Sequence, residues 1–379
     1  MIKPHRLVPL YLGGIMMLGL MGTYTIPFVI GAFIDGLGMN AQSAGALGTV
    51  EIFSIAVSAL TLSRVLTPSN LRRISAVAIV LCIVAQALSS VTTSYHGLVI
   101  LRLLAGVASG ALLAVVNMVI ATSRSPASLY GWVFAIASLG FAIMLTFLPY
   151  SLAFNGQQGL FIAITFICLL ISPLTWMLPK PSFADTGQAE RQSSQDSSAF
   201  LIGLFFLALT IVYLMMGGVW SFSERVANNL LIEQDAIGLL LGLSTLTGVI
   251  GAISAGFLAK AERLTTPVAL GFVVSGISAV VIAQSGDLAV YSIGILLYGY
   301  CYMFTVTFVL GIAAALDSAG RVAIATNAYL MIPYSLGPVV FGIAGLGNIS
   351  ILGWISLAGC VLAVLIIFPV SRRAERHSP

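Results

Sequence analysis

Two ionisable side chains stand inside otherwise apolar stretches of this chain, Glu51 in "ALGTVEIFSIAVSAL" and Arg102 in "LRLLAGVASG". A charge at the centre of a bilayer costs at least about 2.5 to 3.5 kcal/mol, so such groups face water, a partner or a solute in preference to lipid. At helical spacing Glu51 shares a stripe with Ala44, Gly48, Ser54, Ser58 and Thr61, and Arg102 shares one with Gly106, Ser109, Gly110 and Asn117. Both faces are small and polar, suited to a helix contact or an aqueous cavity. Glu51 lies about ten residues and Arg102 about five from the outer ends of their helices, a depth difference of roughly 7–8 Å that two long side chains can bridge. A carboxylate that alternates between a desolvated site and the reach of a guanidinium can load and release a proton, and the guanidinium can hold an anionic group. The competing reading is a permanent ion pair that locks two helices together.

Further candidates come from aromatic and polar spacing. In "YLMMGGVWSFSERVANN", Tyr213, Gly217, Trp220 and Glu224 share one face, and Gly217-Gly218 offers a place for a gate to bend. An interfacial tryptophan with solvated charges is the bland alternative. Tyr291, Tyr298, Tyr302 and Thr305 follow helical spacing, as do Asn327, Tyr334 and Pro338. Such stripes either line a pocket for an organic solute or simply pack. Glu51 and Arg102 are therefore the proton-coupling or substrate candidates, and Asn117, Tyr213, Trp220, Glu224, Tyr298, Tyr302, Asn327 and Tyr334 the candidate cavity lining. Kinks are expected at Pro27, Pro333 and Pro338.

Other chemistries find little support. Cys82, Cys168, Cys301 and Cys360 fall in four different apolar spans and read as small apolar fillers. His5, His96 and His377 are terminal or loop residues, so no metal and no cofactor are expected. There is no glycine-rich phosphate loop ending in Lys-Ser/Thr, which argues against ATP as the energy source. No nucleophile or acid/base pair marks an interface, so an enzyme is not expected.

The elements that must position these residues follow from composition. The chain has 379 residues, 59% hydrophobic and 7% charged, which leaves an all-α membrane protein as its class. Twelve apolar stretches are each long enough to cross a hydrocarbon core of about 30 Å as a helix. They run over 8–33, 41–63, 74–93, 97–121, 129–152, 159–178, 200–223, 236–258, 266–284, 288–315, 321–344 and 351–370. The first reads as a membrane helix, its apolar run being too long for a signal-peptide core.

With the N-terminus inside, fourteen of the sixteen basic residues fall on the cytoplasmic side; Arg225 alone lies outside and Arg102 within a span. That bias predicts cytoplasmic termini and explains the net charge of +4 without nucleic-acid binding. Residues 179–199 are rich in Ser, Gln and charge, a flexible cytoplasmic linker between six-helix halves at 1–178 and 200–379. "DGLGMNAQSAG" and "NNLLIEQDAIG" match at an offset of 193, which pairs Glu51 with Ser244. Duplicated transporter folds carry such repeats, with a solute site at mid-membrane.

Twelve spans, a central linker, cytoplasmic ends and paired halves together resemble the major facilitator superfamily over essentially the whole chain. "LRLLAGVASG" keeps the family's Arg-x-x-x-Gly spacing through Arg102, Gly106 and Gly110. The loop motif between the second and third spans survives only as Arg72 and Arg73 in "RVLTPSNLRRI". Its echo, "GFLAKAER", keeps Gly256, Leu258 and Ala259 but has Lys260 where the family has an acid. The fifth span lacks the Gly-Pro motif of drug/proton antiporters. The resemblance implies two pseudo-symmetric six-helix bundles and a helix of Arg102 that borders a central cavity. It implies a monomeric secondary active transporter in a bacterial inner membrane, moving a small organic solute by alternating access with protons as the coupling ion. The alternatives are a multidrug or metabolite efflux antiporter, a non-transporting sensor or scaffold, and a lipid-acting membrane enzyme.

Overall fold

The computed structural model describes residues 7–67, 69–123, 125–178, 199–258, 264–316, 322, 325–326, 329–344 and 349–377. Among these, eleven α-helices follow one another: α1 Val8–Leu37, α2 Ala41–Ser63, α3 Leu71–Ser89, α4 Tyr95–Ala121, α5 Pro126–Ile171, α6 Ala199–Asn229, α7 Gln234–Leu258, α8 Thr265–Ala283, α9 Leu288–Leu316, α10 Met331–Ala344 and α11 Ile349–His377. A 3-10 helix, Ser172–Met177, extends α5. Ten of the helices are long and apolar enough to cross a membrane, and α10 is shorter.

Twelve separate spans were expected, and the difference has two sources. The fifth and sixth are the two helical arms of α5, separated by a kink at Asn155 (φ −152°, ψ 37°) and Gly156 (φ 51°, ψ −137°), the second a conformation that favours glycine. The eleventh is described as a helix only from Met331, because most of 317–328 lies outside the described residues. So do the expected linker over 179–198, Ala259 and Lys260 of the loop motif, and Asn327.

The chain divides into two compact units, Met1–Gly187 and Gln188–Pro379. In the first, α2 packs on α4, α3 on α4, α1 on α5 and α3 on α5. In the second, α7 packs on α9, α8 on α9, α6 on α10 and α8 on α11. Each unit thus pairs its second, third and first spans with the same neighbours.

The register inside these pairings repeats at the offset seen in the sequence. On α4, Gly106 sits against the carbonyl oxygen of Glu51, so closely that any Cβ would strike it; on α9, Gly299 sits in the same way against the carbonyl oxygen of Ser244. Ser58 Oγ donates to the carbonyl oxygen of Val107 at 2.7 Å, and at the equivalent place Gly251 lies against the carbonyl oxygen of Tyr300. Small residues that let backbones approach are the usual means by which helices associate in lipid, where burial of apolar surface gives no advantage.

Caps fix where the two site-bearing helices begin. Asn40 accepts from the Ser43 N–H at 2.8 Å to start α2, and Ser94 accepts from the Gly97 N–H at 3.1 Å to start α4. At the opposite end of α3, Arg72 donates through Nε and Nη2 to the carbonyl oxygen of Leu178 at 3.1 and 2.8 Å, tying the surviving loop-motif arginine to the end of its own unit. The outward faces carry large exposed apolar side chains such as Val77, Val80, Phe147, Phe166, Ile250 and Leu365, as a lipid-facing surface requires.

Candidate functional site

In the first unit the two membrane-embedded charges meet. Arg102 Nη1 donates to Glu51 Oε2 at 2.9 Å, and both side chains are about 1% exposed. Arg102 Nη2 donates to Gln86 Oε1 at 2.9 Å and to Ser89 Oγ at 2.6 Å. The guanidinium carbon stands 4.7 Å from the centre of the Phe161 ring, within cation–π range. Gln157, beside the break in α5, donates to the carbonyl oxygens of Ser89 and Thr92 at 2.9 and 3.1 Å. Side chains of α2, α3, α4 and the second arm of α5 therefore converge on one guanidinium.

The Arg-x-x-x-Gly spacing has a local explanation here. Gly106 admits the Glu51 backbone, and Arg102, one turn earlier on the same face, reaches the Glu51 carboxylate. Gly22 of α1 completes the enclosure, for a Cβ there would come within 2.7 Å of Glu51 Oε1. The carboxylate is sealed on that side by backbone. A guanidinium that donates to a carboxylate, an amide and a hydroxyl is held in one orientation, since its planar fork matches several acceptors at once.

Of the other candidates in this unit, Ser54 and Ser58 stay at the α2–α4 contact, while Thr61 is exposed at the end of the stripe. Asn117 is exposed on α4 and takes no part in the ionic cluster. Gln86, Ser89, Gln157 and Phe161 were not anticipated. Gln86 and Ser89 are one turn apart in an apolar helix, a pattern that marks a shared polar face once a buried arginine needs acceptors.

The second unit gathers most of the aromatic candidates. Trp220 stacks on Tyr298 with ring centres 6.1 Å apart and planes at 11°. Tyr213 meets Tyr302 edge-on at 6.1 Å, and Tyr302 meets Tyr334 edge-on at 5.9 Å. These come from α6, α9 and α10. The Tyr298 hydroxyl donates to the carbonyl oxygen of Met216 at 2.6 Å, and that of Tyr291 to the carbonyl oxygen of Ser223 at 3.0 Å. The Tyr213 hydroxyl, fully buried, has no hydrogen-bond partner among the described residues.

Gly217 and Gly218 do not interrupt the helix; they are the surface on which α10 lies, Gly217 against the carbonyl oxygen of Tyr334 and Gly218 against the Phe341 ring. Glu224 is buried, not solvated: Asn228 Nδ2 donates to its Oε1 and Gln234 Nε2 donates to Asn228 Oδ1, linking α6 to the start of α7. The seventh span was expected to end at 223, whereas α6 continues to Asn229 and carries Glu224 within the helix.

Comparison with known proteins agrees with the architecture. A search of curated proteins finds no match. Among solved structures, a mutant of the nucleoside transporter NupG matches with a TM-score of 0.73 at 13% identity, covering 96% of this chain and 98% of that one. A D-xylose-proton symporter matches at 0.72 and 14%, covering 95% and 96%. A bacterial homologue of the human lysosomal transporter Spinster, inward-facing and unoccupied, matches at 0.69 and 14%, covering 100% and 98%. At these identities the likeness is one of fold. The family model described as Major Facilitator Superfamily matches residues 12–338, and the chain belongs to that superfamily.

Proposed function

We propose that this protein is a secondary active transporter that moves a small organic solute across the membrane by alternating access, with protons as the coupling ion and Glu51 as the group that exchanges them. The observation that carries the coupling is the Glu51–Arg102 pair, an acid and a base held at 2.9 Å in the apolar interior of one bundle. Protonating Glu51 removes its charge and frees Arg102 from that contact, so the pair has two states whose balance follows pH. The aromatic cluster around Tyr213 supports an organic solute, because it joins flat apolar walls to a buried hydroxyl with no partner among the described residues. The protein works as a monomer in a bacterial inner membrane, with both termini in the cytoplasm.

The test begins with a thermal-shift screen of purified protein against nucleosides, sugars and other metabolites at two pH values. Counterflow of the labelled hit in proteoliposomes follows. Glu51→Gln should abolish transport driven by a pH gradient while leaving solute exchange measurable. Retention of pH-driven transport removes Glu51 from the mechanism.

A second reading rests on the hold that Glu51, Gln86, Ser89 and Phe161 have on Arg102. On it the cluster is a permanent strut of the first bundle. Glu51→Gln would then lower thermal stability and leave pH-driven transport intact.

A further inference from the structure

Close to the ion pair, on α1, α3 and the second arm of α5, three sulfur atoms face one another. Cys82 Sγ lies 3.8 Å from Cys168 Sγ, and Cys168 Sγ lies 4.0 Å from Met21 Sδ. Both thiols are free and fully buried, and Met21 is about 1% exposed. The sequence reading as apolar fillers accounts for the burial. It does not account for one thiol lying beside the sulfurs of two other helices.

We propose that Cys82, Cys168 and Met21 form a binding site for a soft monovalent cation, Cu(I), and that the bound ion ties α1, α3 and α5 together. The two separations suit a shared ion: sulfurs 3.8 or 4.0 Å apart can each sit about 2.2–2.3 Å from one cation, close to the length of a metal–thiolate bond. Thiolate and thioether together select Cu(I), whereas Mg²⁺ and Ca²⁺ take oxygen donors that this triangle does not offer. The described residues hold no group of three His, Cys, Asp or Glu that could serve a harder ion. Binding replaces two S–H bonds by two metal–thiolate bonds and releases two protons to the medium, with no change of oxidation state. The dithiolate complex carries one negative charge. The site does not depend on the transport reading.

The experiment uses the full chain in detergent, reduced and anaerobic, titrated against the coloured Cu(I)–bicinchoninate complex. The expected result is withdrawal of one Cu(I) per chain. Cys82→Ser and Cys168→Ser should each weaken binding at least tenfold, Met21→Leu about tenfold, and Cys301→Ser and Cys360→Ser, in the other unit, not at all. X-ray absorption on the copper-loaded native protein, which no folding defect in a variant can confuse, should give three sulfurs at about 2.2–2.3 Å. Failure of the native protein to compete for copper overturns the proposal. So does native-like binding by the Cys82→Ser/Cys168→Ser double variant, or a shell of two sulfurs or of nitrogen and oxygen.

Discussion

Arg102 donates to three acceptors and leans on a ring, yet its Nε has no partner among the described residues. The side chain is therefore held through its two terminal nitrogens, and the consequences of changing it are uneven. Arg102→Leu strands the Glu51 carboxylate in an apolar interior, which should cost about 3–5 kcal/mol in unfolding experiments in detergent. Glu51→Gln with Arg102→Gln removes both charges, and its loss should be smaller than the sum of the two single losses. Arg102→Lys keeps the charge but lacks the fork that serves Glu51, Gln86 and Ser89 together, so its melting temperature should fall between native and Arg102→Leu. Gly22→Ala drives a methyl toward the carboxylate and should destabilise by about 1–3 kcal/mol, as overpacking does. A native melting temperature for Gly22→Ala would mean that α1 does not seal the pair.

At the scale of elements, glycine placement decides how helices meet. Gly106→Leu should force α4 off α2, and Gly299→Leu should do the same to α9 on α7, each lowering thermal stability and each to a similar degree. Gly156→Ala is a different case: its φ of 51° penalises any side chain, so a loss of about 1–2 kcal/mol is expected with no change in helix content by circular dichroism. Most of this architecture is legible in the sequence, because bilayer thickness sets the length of each apolar run and polar or glycine-containing breaks separate them. Seven spans end within four residues of their expected limits, while the seventh and twelfth run on by six and seven residues. The kink between the fifth and sixth falls at Asn155 and Gly156, inside "FNGQQG", which reads as a break. The candidate site divides in the same way. The acid and the arginine were conspicuous by the cost of burying charge, while Gln86 and Ser89 were ordinary until Arg102 gave them a purpose. The cover over Gly217 and Gly218 depends on α10, more than a hundred residues distant, and no local pattern encodes it.

For the molecule as a whole, the division into units at Gly187 and Gln188 makes a direct prediction. Chains 1–187 and 188–379 made as separate polypeptides in one cell should each insert in the membrane and together restore whatever transport the intact chain has, measured as uptake or efflux of the solute identified by the thermal-shift screen. Topology is checked independently. Single cysteines placed at Ser94 and Asp287, in a background where the native cysteines are replaced, should react with a membrane-impermeant maleimide from outside, and one at Thr67 should not. Reaction from outside at Thr67 alone, and not at Ser94 or Asp287, would invert the orientation drawn from the basic residues.

The shared register of α2–α4 and α7–α9 has one more implication, which concerns descent. If the halves arose by copying a single ancestral bundle, the backbone contacts survived in both, but the positions matching Glu51 and Arg102 now hold Ser244 and Ile295. One copy kept or acquired an electrolyte where its sibling has a hydroxyl and a hydrocarbon. The same packing thus carries different side-chain chemistry in the two units, and grafting Ser244→Glu together with Ile295→Arg would ask whether the second copy can still house the first one's ion pair.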